Sequence, residues 1–201
     1  MSLYSRMVIV LTSVGLISGS FLATVGTLTK EQIALNIQRE IEEAIVHVIP
    51  GAVRSEKLYE EKDLTIYGGK DGDGALIGFG ILAAGVGFQD RIALMLGTNI
   101  SLTRTKKMRI IEQKETPGLG ANIDDEETFL IFWENKDCSE HLSLRKPAVK
   151  TPEELSPMEI NTITGATISS ESVLKIVNSA LERARQLIKE GAFQIGEPDD
   201  N

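Results

Sequence analysis

Thr164-Gly165-Ala166-Thr167, continuing into Ile168-Ser169-Ser170-Glu171-Ser172, is the stretch on which the reading of this chain turns. Behind it, Val173, Val177, Ala180, Ala184, Leu187 and Ile188 recur at three- and four-residue steps, which predicts an amphipathic helix over residues 170–190. Ser169 or Ser170 is placed to cap that helix. Gly165 and Ala166 leave little bulk beside Thr167, so a large ligand or a modifying enzyme can approach the backbone there. A helix start also presents unbonded N–H groups and a positive dipole end, which suit a phosphate. The competing reading is a plain capping loop, since Ser and Thr cluster before helices for that reason alone.

Upstream of this loop the pattern is β. Residues 64–67 and 75–84 flank the turn-rich Gly68-Gly69-Lys70-Asp71-Gly72-Asp73-Gly74 and predict a hairpin. Residues 91–96, 100–105, 107–113 and 128–133 predict further strands, and residues 147–157 form a proline-punctuated connection. Gly78, Gly80, Gly85 and Gly87 mark bulges or points where backbone meets a ligand, while Phe88 reads as a packed ring. Pro117-Gly118 predicts a tight turn, because Pro presets one φ and Gly permits a positive one. Asp71-Gly72-Asp73-Gly74 lacks the remaining ligands of a calcium loop and reads as a turn. The expected fold class is α+β, an antiparallel sheet with flanking helices behind an N-terminal transmembrane helix.

Residues 7–28 hold no charge, and about 20 such residues in a helix cross the ~30 Å hydrocarbon core. Gly15-Leu16-Ile17-Ser18-Gly19 sets small side chains on one face, as in spans packed against other membrane helices. A cleaved signal peptide is the alternative, but its apolar region is shorter, roughly 7–15 residues, and ends at an Ala-x-Ala-like site. Ile33, Ile37, Ile41, Ala44, Ile45 and Val48 predict a second helix over residues 30–49, capped by Thr29 with Gln32 and ended by Pro50-Gly51. The expected organisation is an anchor at 1–28, a linking helix at 29–50, a soluble domain at 51–192 and a polar tail at 193–201. Arg6 is the only side-chain charge ahead of the span, so a cytoplasmic start and an extracytoplasmic soluble domain are expected.

Composition excludes several functions. The formal net charge is −8 and the basic residues form no stripe, which argues against nucleic acid as a partner. Cys138 is alone, so neither an internal disulfide nor a cysteine-ligated cluster is available. His47 and His141 stand without metal-ligand spacing, and no metal site is expected. No Ser-His-Asp set or paired carboxylates stand out, so no residue is assigned as catalytic and a hydrolase has no support. Redox chemistry here would need a bound cofactor.

Residues 164–167 resemble the flavinylation motif, Ser/Thr-Gly-Ala-Thr, of the FMN-binding domains in the Rnf and Nqr electron-transport complexes. The N-terminal span, Gly85-Val86-Gly87-Phe88-Gln89-Asp90 and Glu115-Thr116-Pro117-Gly118-Leu119-Gly120 fall where that family places its counterparts, and the G subunit of Rnf complexes is the best match in layout. The resemblance implies covalent FMN on Thr167 through a phosphoester: a flavin transferase uses FAD as donor, and the threonine hydroxyl displaces AMP. It implies cofactor contacts from Thr164, Gly165, Ala166, Thr116, Gly118 and Leu119. Glu115 is either an orienting acceptor or a solvated turn residue. It further implies an electron-carrying subunit of an ion-translocating ferredoxin:NAD oxidoreductase in the inner membrane, not catalytic alone. Its partners would be membrane and iron–sulfur subunits, with the transferase acting during maturation. The alternatives are the C subunit of a sodium-translocating NADH:quinone reductase, which usually has a longer soluble region, and a non-redox membrane-anchored assembly protein. Two positions depart from the family pattern. Asn161 stands where an acidic residue is common, and Ser169 where threonine is frequent.

Overall fold

A computed structural model describes residues 3–193; the predicted polar tail after Phe193 lies outside the described residues. Helix α1, Leu3–Val48, carries the apolar span and the predicted linking helix without a break. The cap expected at Thr29 is not made. No Pro interrupts the ladder, and the Thr29 hydroxyl instead donates back to the Val25 carbonyl at 2.9 Å, in mid-helix. Thr24 and Thr27 do the same, each at 2.8 Å, to the carbonyls of Ser20 and Thr24. These hydroxyls are therefore satisfied inside the helix, as hydrocarbon requires. An 18-residue window of α1 has mean hydropathy 2.1 and none of its residues is buried, so the helix is long and apolar enough to cross a membrane.

The chain divides into two compact units, one ending at Glu40 and one beginning at Ile41. In the second unit, β1 (Arg54–Glu61), β2 (Leu64–Lys70), β3 (Leu76–Val86), β4 (Arg91–Thr98) and β5 (Thr105–Glu112) form an antiparallel sheet in sequence order. The two-residue period of β4 shows why both faces are covered. Ile92, Leu94 and Leu96 enter the main core, while Met95 joins Ala44, Ile45, Val48, Ile49 and Ala52 on the opposite face. The end of α1 thus closes one face and helix α2 (Thr167–Lys189) the other, so the central strands are apolar almost throughout. A Cβ on Gly78 would stand 2.4 Å from the Thr98 carbonyl, and Gly78 and Gly80 both lie beneath Ile49, just past the end of α1. The sequence reading missed β1, because its Arg54, Glu56, Lys57, Glu60 and Glu61 mark a charged edge strand with no apolar period.

Two predicted strands are corrected. Residues 100–104 turn instead of extending: the Asn99 Oδ1 accepts the N–H groups of Thr103 and Arg104 at 2.9 and 3.0 Å, and Leu102 takes φ +53°. Residues 128–133 coil into a 3₁₀ turn over Leu130–Trp133, started by the Asp125 carboxylate accepting the Thr128 N–H and hydroxyl at 2.8 Å. Phe129, Phe132 and Trp133 are aromatic there because they fill the core, not because the backbone extends.

A short parallel pair, β6 (Ser143–Arg145) with β7 (Glu159–Asn161), delivers the chain to the Thr164 loop. Helix α2 starts at Thr167, earlier than the apolar period suggested, and buries Val173, Ile176, Val177, Ala180, Leu181, Ala184 and Leu187. It ends in a Schellman motif: Gly191 takes φ +69°, with Ala192 N–H on Leu187 O at 3.0 Å and Gly191 N–H on Ile188 O at 3.1 Å.

Candidate functional site

Two turns of the same kind face each other across a cleft. In residues 163–166, the Ala166 N–H bonds to Ile163 O at 3.0 Å, with Gly165 at φ +84° in the third position. In residues 116–119, the Leu119 N–H bonds to Thr116 O at 3.1 Å, with Gly118 at φ +74° in the third position after Pro117. A positive φ at that position is what a type II turn demands, so both glycines serve local geometry first. The turns meet where the Leu119 side chain lies against Gly165, 3.5 Å from where a Cβ would stand.

Between them lies a cleft of about 320 Å³, lined by Phe88, Thr116, Leu119, Gly120 and residues 165–169. That volume sits at the lower end of the range for small-molecule sites. Thr167 is half-buried in it as the first residue of α2. The N-cap residue is Ala166, and no side chain caps the helix start. The predicted serine caps are spent elsewhere. Ser170 Oγ accepts the Ile163 N–H and donates to Ala166 O, each at 3.1 Å, which folds the loop onto its own helix. Ser169 turns the other way, to Glu115. The first N–H groups of α2 therefore open toward the cleft without a side-chain acceptor, an arrangement suited to an anionic group.

Glu115 is not a solvated turn residue. It is 4 % exposed, and its two oxygens gather three segments. Oε1 accepts the N–H groups of Phe88 and Gln89 at 2.9 and 3.0 Å, and Oε2 accepts the Ser169 hydroxyl at 2.7 Å. All three partners are donors, which suits an acceptor-only carboxylate. Two glycines make room for it: a Cβ on Gly87 would stand 2.4 Å from Oε1, and one on Gly120 2.7 Å from Oε2. Thr116 adds a link from its hydroxyl to Gln89 Oε1 at 3.0 Å.

Of the residues singled out from sequence, Thr167, Gly165, Ala166, Thr116 and Leu119 meet at the cleft, and Glu115 stands directly behind its wall. Thr164 and Gly118 do not line it; both are exposed at the outer sides of their turns. Phe88 corrects the expectation of a packed ring: it is 61 % exposed and lines the cleft together with Ile168 and Leu119. Ile168, Ser169 and Gly120 were not anticipated as lining residues. A helix beginning at Thr167 would have implied the first two. Asn161 is buried and structural: its Oδ1 accepts the Val149 N–H and its Nδ2 donates to Val149 O, both at 2.9 Å.

Residues 87–182 match the FMN-binding domain family. The chain is 25 % identical over 185 residues to the G subunit of the ion-translocating oxidoreductase complex of Methanosarcina acetivorans, covering 89 % of this chain and 93 % of that one. Its fold is shared with NqrC of Shewanella oneidensis, at a TM-score of 0.53 and 20 % identity over 65 % of this chain; the match spans 66 % of NqrC, just under two thirds. The domain match takes in the Phe88 strand end, the Glu115 turn and the Thr167 helix together, and the chain is similar along most of its length to the G subunit of an ion-translocating oxidoreductase complex.

Proposed function

We propose that this protein is a membrane-anchored carrier of covalent FMN that relays electrons between partner subunits of an Rnf-type ion-translocating ferredoxin:NAD oxidoreductase. The observation that carries the reading is the place of Thr167, half-buried in the cleft at the first position of a helix whose N–H groups no side chain caps. The residues present fit the group. Thr167 Oγ would hold the phosphoester, and the N–H groups of Ile168 and Ser169 would take phosphate oxygens. Leu119, Phe88 and Ile168 offer apolar walls to an aromatic ring, with Thr116 as a polar edge. Bound there, the flavin supplies the redox chemistry, and the chain's residues hold it and shape its surroundings.

Covalent attachment suits a relay, because a tethered cofactor is not lost between transfers. Cys138 is buried and offers no redox alternative. On this reading the subunit is not catalytic alone: membrane and iron–sulfur subunits pass electrons to and from it, and a flavin transferase installs the cofactor. Thr164, Gly165 and Gly118 act by setting the two turns that place Leu119 and Thr167. Helix α1 is read as the single-pass anchor, with the sheet domain on the extracytoplasmic side.

The test is Thr167→Val, produced with a flavin transferase and run on a denaturing gel under ultraviolet light. Wild type is expected to fluoresce and Thr167→Val to be dark, with unchanged secondary structure. Full fluorescence from Thr167→Val would overturn the assignment and turn attention to Thr164.

A further inference from the structure

Glu115 brings a carboxylate to the wall of the cleft. It is almost fully buried, and its hydrogen-bond partners, two backbone N–H groups and the Ser169 hydroxyl, are all neutral. The nearest lysine in sequence, Lys114, points its ammonium elsewhere, to Asp90 at 3.6 Å and Glu112 at 3.7 Å. Gly120, which has no side chain, and Ser169, which is hydrogen-bonded to the carboxylate, both line the cleft and lie against Glu115. Burial weakens solvent screening, so the charge acts across the cleft more strongly than a surface carboxylate would.

We propose that Glu115 is the residue that biases the cleft against reduction, holding the midpoint potential of the redox group bound there low. The inference rests on the reading that the cleft holds FMN. Adding one electron without a proton adds one negative charge to the cleft, and a fixed negative charge behind the wall opposes it. A unit charge about 10 Å from a redox centre, at an effective dielectric of about 20, shifts a one-electron equilibrium by roughly tenfold. Tenfold is about 59 mV for a one-electron couple. Ser169 has the contrary part: its hydroxyl dipole partly offsets the carboxylate. Removing the charge and removing the hydroxyl therefore have opposite signs, which a purely structural role for this network would not produce.

The experiment takes full-length protein in detergent, flavinylated during expression, as wild type, Glu115→Gln and Ser169→Ala. Covalent loading is read by in-gel fluorescence, and the midpoint potential by dithionite titration with mediators at pH 7. Gln keeps an acceptor for the two N–H groups and meets the serine with its amide, so the latch is retained without the charge. The expected result is an upward shift of about 59 mV, tenfold, in Glu115→Gln. A smaller downward shift is expected in Ser169→Ala. An unchanged potential in Glu115→Gln, or shifts of the same sign in both variants, overturns the proposal. If Glu115→Gln does not fold, Ser169→Ala alone decides, since an unchanged or raised potential there contradicts the charge argument. A wild type without covalent flavin overturns the cofactor reading itself, and this inference with it.

Discussion

Asn161→Asp exchanges the amide of this chain for the carboxyl group that the resemblance noted above led one to expect there, and the structure sets its cost. Asn161 is 2 % exposed and makes a two-way bond with Val149, accepting its N–H and donating to its carbonyl, each at 2.9 Å. A carboxylate keeps the first bond and loses the second, leaving the Val149 carbonyl opposite an oxygen in a buried place. The protein escapes by protonating the new group, which can then donate as the amide did. Burial thus raises its folded-state pKa well above the ordinary carboxylate range. A hundredfold bias toward the protonated form corresponds to about 3 kcal/mol. For a protein of this size that lowers Tm by roughly 6–12 °C at pH 7. The sign follows from the raised pKa. The penalty is absent below the unfolded-state pKa, grows by about 1.4 kcal/mol per pH unit above it, and levels off beyond the folded-state pKa. Thermal unfolding of wild type and Asn161→Asp by circular dichroism at pH 7 and pH 5 checks this, with the Tm gap expected to fall by about half at the lower pH. A gap below 2 °C at pH 7, or one that does not narrow on acidification, would refute the reasoning and mean that the 149–161 contact carries no energetic weight.

Three further outcomes follow from the geometry. A Cβ in Gly165→Ala would meet Leu119 at an ordinary 3.5 Å, so its cost is the strain of φ +84°, about 1–2 kcal/mol in a melt, and if Thr167 carries FMN as proposed, in-gel fluorescence should fall as the turn shifts Thr167. Cys138 is buried, and loss of hydration pushes its thiol up to about 11, so maleimide at neutral pH should leave it unlabelled until the protein is denatured; prompt native labelling would contradict the packing. Lys62 is exposed at the β1–β2 turn, so Lys62→Cys in intact cells should react with an impermeant thiol reagent if the sheet domain is extracytoplasmic, and reaction only after lysis would reverse the topology.

What could be read in advance was local. An uncharged stretch over residues 7–28 declares its solvent by composition, and the α2 stripe from Val173 to Leu187 declares its buried face by period. The Pro117-Gly118 turn was legible, since a positive φ selects glycine, whereas Gly165 was read for its small bulk and not as a turn. The β2–β3 hairpin was legible from its glycine-rich turn. Where local signals served two causes, the reading went astray. Aromatic residues at 128–133 looked like a strand and fill the core from a 3₁₀ turn, and charged β1 looked like no element at all because its partner supplies the order.

The sequence by itself determined the anchor-like helix, the sheet-and-helix class and the small-residue loop ahead of α2, because each depends on neighbours a few residues apart. Only the tertiary structure decided the site. Glu115 reaches Phe88 across 27 residues and Ser169 across 54, and no periodicity carries such a separation. Whether its carboxylate faces water or gathers three donors depends on how the turn lies against the β3–β4 connection and the first turn of α2. The same packing leaves Phe88 exposed at the cleft that Thr167 also lines instead of inside the core, while the glycines at 87 and 120 yield their space to the carboxylate.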